Sequence, residues 1–193
     1  MSNPVTPDTK VIKEYLQNWK TLENYTLQEK SLGLLFHELC PKNDNIEGVL
    51  LKVSALNDFY STNIFDTYSV AKHILTCNID SGLENDDIEL VDKIAPVTIK
   101  GKTRRFYSFA SKYCSHHKPE TYPIYDSYVE KMLMYFKKTD KFERFKKDDL
   151  KSYSRFIEII EKFKDHYELN SFSLREIDIY LWLAGKHHFP NKY

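Results

Sequence analysis

One aspartate, Asp126, has the surroundings of a residue that could do acid–base chemistry. Two prolines, Pro119 and Pro123, restrict the chain before it, and the segment SYVEKML after it has the pattern of a helix start. A carboxylate held ionised at such a position can stabilise a developing cation or deprotonate a water molecule. Aspartate is also a preferred N-cap residue, so a structural cap is the alternative interpretation of Asp126.

A segment with only positive charge precedes this aspartate, since residues 100–118 contain no acidic side chain. On a helix that starts near Thr103, the apolar residues from Phe106 to Tyr113 form a buried side. Basic and hydroxyl residues then form a stripe on another side, which can bind phosphate oxygens. The candidate phosphate contacts are Lys100, Lys102, Arg104, Arg105, Ser108, Lys112 and His116. An ordinary solvated helix face is the alternative interpretation.

Histidines and cysteines do not form a metal-binding pattern in this sequence. The pairs His116-His117 and His187-His188 are adjacent, and neighbouring residues on a helix do not face each other. The three cysteines are far apart and show no CxxC or CxxH spacing. We therefore expect no metal, no cofactor and reduced thiols of the kind found in cytoplasmic proteins.

Composition limits the class of protein. The 193 residues carry 28 basic and 28 acidic side chains, so the net charge indicates no partner. Only 5 glycines and 7 prolines are present, which is few for an architecture with many strands. The N-terminal segment MSNPVTPDTK lacks the apolar region of a signal peptide, and no apolar run is long enough to cross a membrane. We expect a soluble, cytoplasmic protein without membrane contact.

Helical periodicity recurs along almost the whole chain and predicts the elements that must position these residues. We predict a single all-α domain, residues 1–193, with about nine helices. The predicted helices span residues 11–19, 27–39, 46–60, 64–75, 84–94, 103–116, 126–138, 148–167 and 173–185. The last begins with a capping-box pattern of Ser173 and Glu176 and is closed by Gly185. The third contains the apolar run VLLKVSAL, so we expect it to be central and buried. The segment APVTIKGK, residues 95–102, predicts a turn or hairpin.

The order of these features resembles the helix–hairpin–helix DNA glycosylases, an all-α superfamily. The segment YPIYDSYVEKML is similar to the family pattern Pro-x-Val-Asp-Thr-His-Val, which supplies an aspartate at a helix N-terminus. The segment IKGKTRRFYSFASKYC looks like the second half of the hairpin and its following helix, and LLKVSALNDFYSTN looks like an early helix of the family. The resemblance covers residues 46–136, with residues 1–45 and 137–193 as helical flanks. The hairpin signature Leu-Pro-Gly-Val-Gly is absent, and so are the four cysteines of the iron–sulfur members.

This resemblance implies a protein that binds DNA and excises a modified or mismatched base by cleaving the N-glycosidic bond. Asp126 takes the place of the family's catalytic aspartate. Ser108 stands where members with a lyase step carry a lysine, and Lys102 and Lys112 are the lysines near that position. The candidate residues for a base pocket are Asn57, Tyr60, Tyr125 and Tyr128. Core packing with a hydrogen-bonded hydroxyl is the alternative for each tyrosine.

Two other function classes fit the same residues. One is a non-catalytic nucleic-acid-binding module in which Asp126 is only a helix cap. The other is a helical protein-interaction module that binds no nucleic acid. The sequence leaves open the base released, a lyase step, the strandedness of the DNA and the oligomeric state.

Overall fold

The structure, a computed structural model, describes residues 3–190, and this part of the chain is mostly helical, as predicted. Its regular elements are α1 (Thr9–Thr21), α2 (Glu23–Leu34), α3 (Ile46–Tyr60), α4 (Thr67–Cys77), α5 (Asp80–Glu84), α6 (Leu90–Ile94), β1 (Pro96–Ile99), β2 (Lys102–Arg105), α7 (Tyr107–His117), α8 (Ser127–Thr139), α9 (Tyr153–His166) and α10 (Leu174–His188). A π-helical turn, Leu35–Leu39, continues α2, and a 3-10 turn, Lys147–Lys151, precedes α9. Among residues 3–190, no helix is both long and apolar enough to cross a bilayer.

The chain forms two compact units. The central unit is Asn24–Ile124, and the terminal unit joins the residues up to Glu23 with those from Tyr125 onward. The predicted glycosylase-like core, residues 46–136, therefore extends from the central unit into the start of the terminal unit. The hairpin and α7 belong to the central unit, whereas Asp126 and α8 belong to the terminal unit.

Helix α3 is the core of the central unit, as its apolar run predicts. Val49, Val53 and Leu56 are fully buried, and the helix packs against α4 and α7. Its first turn is capped by Asn45, whose Oδ1 accepts a hydrogen bond from the backbone N–H of Gly48 at 2.8 Å. The helix thus holds the later elements of the unit in place.

The predicted hairpin is present and is longer than the sequence indicates. β1 and β2 pair antiparallel from Pro96 opposite Arg105 to Ile99 opposite Lys102. The two residues between the strands, Lys100 and Gly101, have φ angles of 48° and 75°. Two left-handed residues make the tight turn that matches strand twist, and glycine adopts this conformation without strain. The predicted helix start near residue 103 is wrong because this turn extends the pairing to residue 105.

The predicted acidic helix over residues 84–94 is also wrong. The segment forms two short helices, α5 and α6, separated by a turn in which Asp86 has a φ angle of 55°. The Asp86 carboxylate accepts hydrogen bonds from Lys118 Nζ at 2.7 Å and from Thr121 Oγ1 at 2.8 Å. Contacts with the loop after α7 therefore hold the turn against the local helical pattern.

In the terminal unit, α10 packs against α1 and α8. The helix begins with the predicted capping box of Ser173 and Glu176. It ends at His188, so the prediction that Gly185 closes it is wrong. Gly185 is buried inside α10, where an added Cβ would lie 2.7 Å from the carbonyl oxygen of Tyr128. The glycine therefore allows α10 to approach the backbone of α8 at its first turn.

Replacing Gly185 with alanine should lower stability, because the new methyl group must push the first turn of α8 away from α10. We expect a loss of roughly 1–3 kcal/mol in the free energy of unfolding, measured by urea titration. Gly33→Ala is the matched control, because a Cβ at Gly33 in α2 meets no atom within 4 Å. It should leave stability unchanged or raise it by about 0.5–1 kcal/mol. Equal stabilities of the two variants would contradict this account of Gly185.

Candidate functional site

Three exposed basic residues of the hairpin lie in its turn or on one face of β2. Lys100 lies in the turn, and Lys102 and Arg104 lie on β2, where residues two apart share a face. We call Lys100, Lys102 and Arg104 the hairpin cations. They carry positive charge in water on a short pair of strands, which suits contact with phosphate oxygens.

Arg105 does not extend the predicted helical stripe, because it lies on a strand. It points to the other face of β2 from Lys102, its guanidinium pairs with the carboxylate of Asp92, and it lies 4.3 Å from the ring centroid of Tyr107. The continuous stripe from Lys102 to His116 is therefore a wrong prediction. The strand separates it into the hairpin cations and a second group on α7.

The second group is the α7 cluster: Tyr60 of α3 with Ser108, Lys112 and His116 of α7. The Nζ of Lys112 lies 2.5 Å from Ser108 Oγ and 5.2 Å from the ring centroid of Tyr60. The Tyr60 hydroxyl lies 3.0 Å from Nε2 of His116. Lys112 is only 3% exposed, so its predicted place on a solvated face is wrong. A buried amine beside a hydroxyl, a ring and an imidazole can serve nucleophilic or acid–base chemistry.

Asn57, the first base-pocket candidate, uses its amide to hold the loop after α3. Its Oδ1 accepts hydrogen bonds from Thr62 Oγ1 at 2.8 Å and from the backbone N–H of Ile64 at 2.9 Å. Its Nδ2 donates to the carbonyl oxygen of Ile64 at 3.1 Å. Both ends of the amide therefore bind this loop, and a role of Asn57 in contacting a base stays a prediction.

Two other base-pocket candidates lie in the terminal unit. Tyr125 is 5% exposed, its hydroxyl contacts Glu130 and Lys151, and its ring meets Phe156 edge-on. This is the arrangement of a core tyrosine, which is the alternative interpretation of Tyr125, and its stacking role stays a prediction. Tyr128 is half-buried, with Lys131 Nζ 5.0 Å from its ring centroid, and its role stays a prediction.

Asp126 is the N-cap of α8. It therefore has the structural role that the sequence offers as the alternative to catalysis. Its backbone is extended, with a φ angle of −142°, and Oδ1 accepts a hydrogen bond from the backbone N–H of Tyr128 at 2.9 Å. The side chain is half-buried at the positive end of the helix dipole, where a negative charge is favoured. Capping and catalysis use the same geometry, so a catalytic role for Asp126 stays a prediction.

A buried polar cluster around Lys52 was not predicted. Lys52 is fully buried in α3, and its Nζ donates to the carbonyl oxygen of Lys42 at 2.9 Å and to Asn43 Oδ1 at 2.6 Å. Tyr113 OH donates to the same oxygen at 2.6 Å, and Asn43 Nδ2 donates to Asp80 at 2.5 Å. A lysine within an otherwise apolar helical run was the signal that could have revealed this cluster.

The surroundings of this cluster shift the protonation of two groups. Burial lowers the pKa of Lys52 to about 8, although the charge of Asp80 acts in the opposite direction. Burial and the positive charge of Lys52 lower the pKa of His117 to about 2. His117 is therefore a neutral imidazole at physiological pH. A cavity of about 400 Å³, lined in part by Asp80 and His117, adjoins the cluster.

Cysteines and metal-ligand residues add no further site. Cys40, Cys77 and Cys114 are free thiols. Within residues 3–190, no group of three or more His, Cys, Asp and Glu side chains is arranged to hold a metal ion. The candidate functional residues are therefore the hairpin cations and the α7 cluster in the central unit and, separately, Asp126 in the terminal unit.

The depressed pKa of His117 predicts acid sensitivity. Unfolded histidine binds a proton below about pH 6.5, whereas folded His117 does so only near pH 2, so stability falls as pH decreases between these values. From pH 7 to pH 5, His117 should lower the free energy of unfolding by about 2 kcal/mol, measured by urea titration. His117→Gln should remove this part of the pH dependence. His166→Gln, a change at an exposed histidine of α9, should retain it, and identical profiles for wild type and His117→Gln would refute the assignment.

Comparisons with known proteins identify the family. The HI_0787_N family model, described as an N-terminal domain, matches residues 11–121, from α1 through the loop after α7. An uncharacterized protein of Haemophilus influenzae is 53% identical over 146 residues, which cover 75% of this chain and 70% of the relative. No solved structure matches the chain. The chain belongs to the HI_0787_N family.

Proposed function

We propose that this protein binds DNA and removes a modified or mismatched base by cleaving its N-glycosidic bond. One observation carries the proposal: three exposed hairpin cations lead directly into α7, in a stretch from residue 93 to residue 119 that contains no acidic residue. The resemblance to helix–hairpin–helix DNA glycosylases supplies the reaction. The free thiols of the chain are in keeping with a proposed cytoplasmic location.

The hairpin cations hold the DNA backbone in this proposal. Lys102 and Arg104 are two residues apart on one face of a strand, and Lys100 follows β1 in a turn of fixed conformation. Three cations on so short an element can contact neighbouring phosphates without ordering a flexible loop on binding. Each phosphate neutralised releases counterions, so binding must weaken as salt concentration rises.

Asp126 is the residue proposed to act on the sugar. Cleavage of an N-glycosidic bond creates positive charge on the sugar, as in glycoside hydrolysis. The hydrogen bond from Tyr128 N–H fixes the orientation of the carboxylate. A fixed negative charge can stabilise the developing sugar cation or orient the attacking water.

The two candidate lysines have different surroundings, which support different roles. Lys102 is exposed on β2 and joins the phosphate contacts. Lys112 reaches back one helical turn, as long side chains on helices do, and brings its amine to the hydroxyl of Ser108. Ser108 stands where the resemblance expects a lysine, so we assign any attack by an amine to Lys112.

Reversal of the hairpin cations tests DNA binding. The triple change Lys100→Glu, Lys102→Glu and Arg104→Glu should weaken binding to duplex DNA at least tenfold, measured by fluorescence anisotropy. It should also lower the slope of log affinity against log salt by about 2–3, because each phosphate contact contributes about 0.9. The same reversal at Lys10, Lys13 and Lys20, exposed lysines of α1, should leave affinity within about threefold of wild type. Equal binding by both triple variants would contradict the assignment of DNA binding to the hairpin cations, and absence of DNA binding by the wild type would favour the protein-interaction module.

Asp126→Asn tests catalysis separately from folding. Release of a base from duplexes with modified or mismatched bases should fall at least about 100-fold, because asparagine cannot carry the negative charge. DNA affinity and the free energy of unfolding should change little, because asparagine is as good an N-cap as aspartate.

Asp8→Asn is the matched control for this change. Asp8 caps α1 in the same unit through a hydrogen bond from Val11 N–H at 2.7 Å. This variant should release bases at the wild-type rate. Unchanged release by Asp126→Asn would leave Asp126 as a cap alone, which its observed capping geometry also fits. Absence of base release by the wild-type protein would favour the non-catalytic nucleic-acid-binding module.

A further inference from the structure

The cavity beside the buried polar cluster around Lys52 lies within the central unit and is lined mostly by charged and polar side chains. Its volume of about 400 Å³ falls in the range of small-molecule sites, roughly 300–1,000 Å³. The apolar residues of the lining are Phe36, Pro41 and Leu83, and the others are histidines, lysines, aspartates and a glutamate. A lining of this kind suits a small ligand that itself carries charge.

One part of the lining comes from a π-helical turn. This turn, Leu35–Leu39, directly follows α2 and brings Phe36 and His37 to the cavity. The Phe36 side chain is fully buried, and its ring meets the ring of His117 edge-on at a centroid distance of 4.9 Å. π-helical turns are rare and frequently occur at functional sites, so this departure from α-helical geometry favours a binding role for the cavity.

The buried amide of Asn43 fixes two polar side chains of the lining. Its Oδ1 accepts hydrogen bonds from Lys52 Nζ and Tyr113 OH, each at 2.6 Å, so the amide has one orientation. Its Nδ2 then donates to Asp80 Oδ1 at 2.5 Å and lies 3.3 Å from His117 Nε2. Asp80 and His117 therefore contact the same nitrogen and lie side by side in the lining.

This arrangement decides the tautomer of His117. Its Nε2 faces two donors, Asn43 Nδ2 at 3.3 Å and Lys52 Nζ at 3.5 Å, so Nε2 is the acceptor and Nδ1 carries the proton. Among residues 3–190, Nδ1 has no hydrogen-bond partner, and it is not closed off from solvent. Because His117 lines the cavity, it offers this N–H to a ligand there.

Two acidic residues of α5 provide negative charge. Asp80 and Glu84 are four residues apart, so they lie on the same face of the helix, and both line the cavity. Asp80 accepts hydrogen bonds from the backbone N–H and Nδ2 of Asn43, which leaves acceptor capacity on a carboxylate with about four acceptor sites. Glu84 is exposed. We call Asp80 and Glu84 the α5 carboxylates, and together they can bind an ammonium group.

A lysine and the histidine donor provide the complementary charge. Lys42 lines the cavity with an exposed side chain. The second lysine of the lining, Lys118, is already paired with Asp86 at 2.7 Å. Lys42 and the N–H of His117 can therefore bind a carboxylate. The remaining charged residue of the lining, Asp44, is exposed to solvent.

We propose that this cavity binds a free α-amino acid, with the ammonium group on the α5 carboxylates and the carboxylate on Lys42 and His117. An α-amino acid carries its two opposite charges on neighbouring carbon atoms, and its side chain can pack on the ring of Phe36. A simple cation or a simple anion would leave one of the two charged sets without a partner. The mixed lining therefore selects the zwitterion over either ion.

A panel of the common L-amino acids tests the site. At about ten times its dissociation constant, at least one of them should raise the melting temperature by about 3–6 °C. The best amino acid is then compared, by isothermal titration calorimetry, with the amine that lacks its carboxylate and the acid that lacks its amino group. Each analogue should bind at least about tenfold more weakly, because each leaves a charged set of the cavity unpaired.

Two variants at exposed lining positions make the test specific. Glu84→Gln and Lys42→Gln should each weaken binding of the best amino acid at least about fivefold, because each removes one charged partner. Glu47→Gln on α3 and Lys30→Gln on α2 are the matched controls, since both positions are exposed and outside the lining. They should bind as wild type does. Circular dichroism of all four variants should match wild type, because all four side chains are exposed.

Three outcomes would overturn this inference. The first is that no amino acid of the panel binds. The second is that the amine or the acid binds as tightly as the amino acid, which would assign the cavity to a simple cation or anion. The third is that the control variants lose as much affinity as the cavity variants, which would place the ligand elsewhere. The proposed function does not depend on any of these results, because the lining includes no hairpin cation, no member of the α7 cluster and not Asp126.

Discussion

The antiparallel pairing of β1 with β2 is the constraint on which the central unit's candidate interface depends. Two left-handed residues, Lys100 and Gly101, set a register in which Lys102 and Arg104 share one exposed face. The same register places Arg105 on the other face, where Asp92 neutralises it and Tyr107 packs against it. A shift by one residue would exchange these roles, so the turn decides which cation pairs with Asp92.

Two lysines of the central unit, Lys52 and Lys112, are buried, and the groups around their amines differ. Lys52 donates to two oxygens of the loop before α3 and stabilises that loop against the helix. The amine of Lys112 lies beside the hydroxyl of Ser108 and over the ring of Tyr60, whose own hydroxyl contacts His116. Burial of an amine is costly unless it is paired, and the Lys52 network compensates that cost with backbone and amide oxygens. We assign the proposed reactivity to the α7 cluster, in which the amine adjoins a hydroxyl and an aromatic ring.

The terminal unit shows how one residue can serve as a cap and as a candidate catalyst. Asp126 stabilises the start of α8 through the N–H of Tyr128, and Gly185 lets α10 approach that same turn. Packing around the cap keeps the carboxylate in one orientation, which is what electrostatic catalysis needs. The structural role therefore supports the proposed chemical one, since a loosely held carboxylate would lose the benefit of its charge.

Local patterns were sufficient for α1, α3, the cap of α8 by Asp126 and the capping box of α10, because apolar spacing and caps act within a few residues. They failed at residues 84–94 and 102–105, where Lys118, Thr121 and the strand partners override the helical pattern from a distance. The same limit applies to the site. Asp126 and the basic segment are visible in the chain, but the burial of Lys112 and the hydrogen bonding of Asn57 follow from packing between residues far apart in sequence. Tertiary contacts alone decide such features, because local conformational preferences do not determine which distant side chains come into contact.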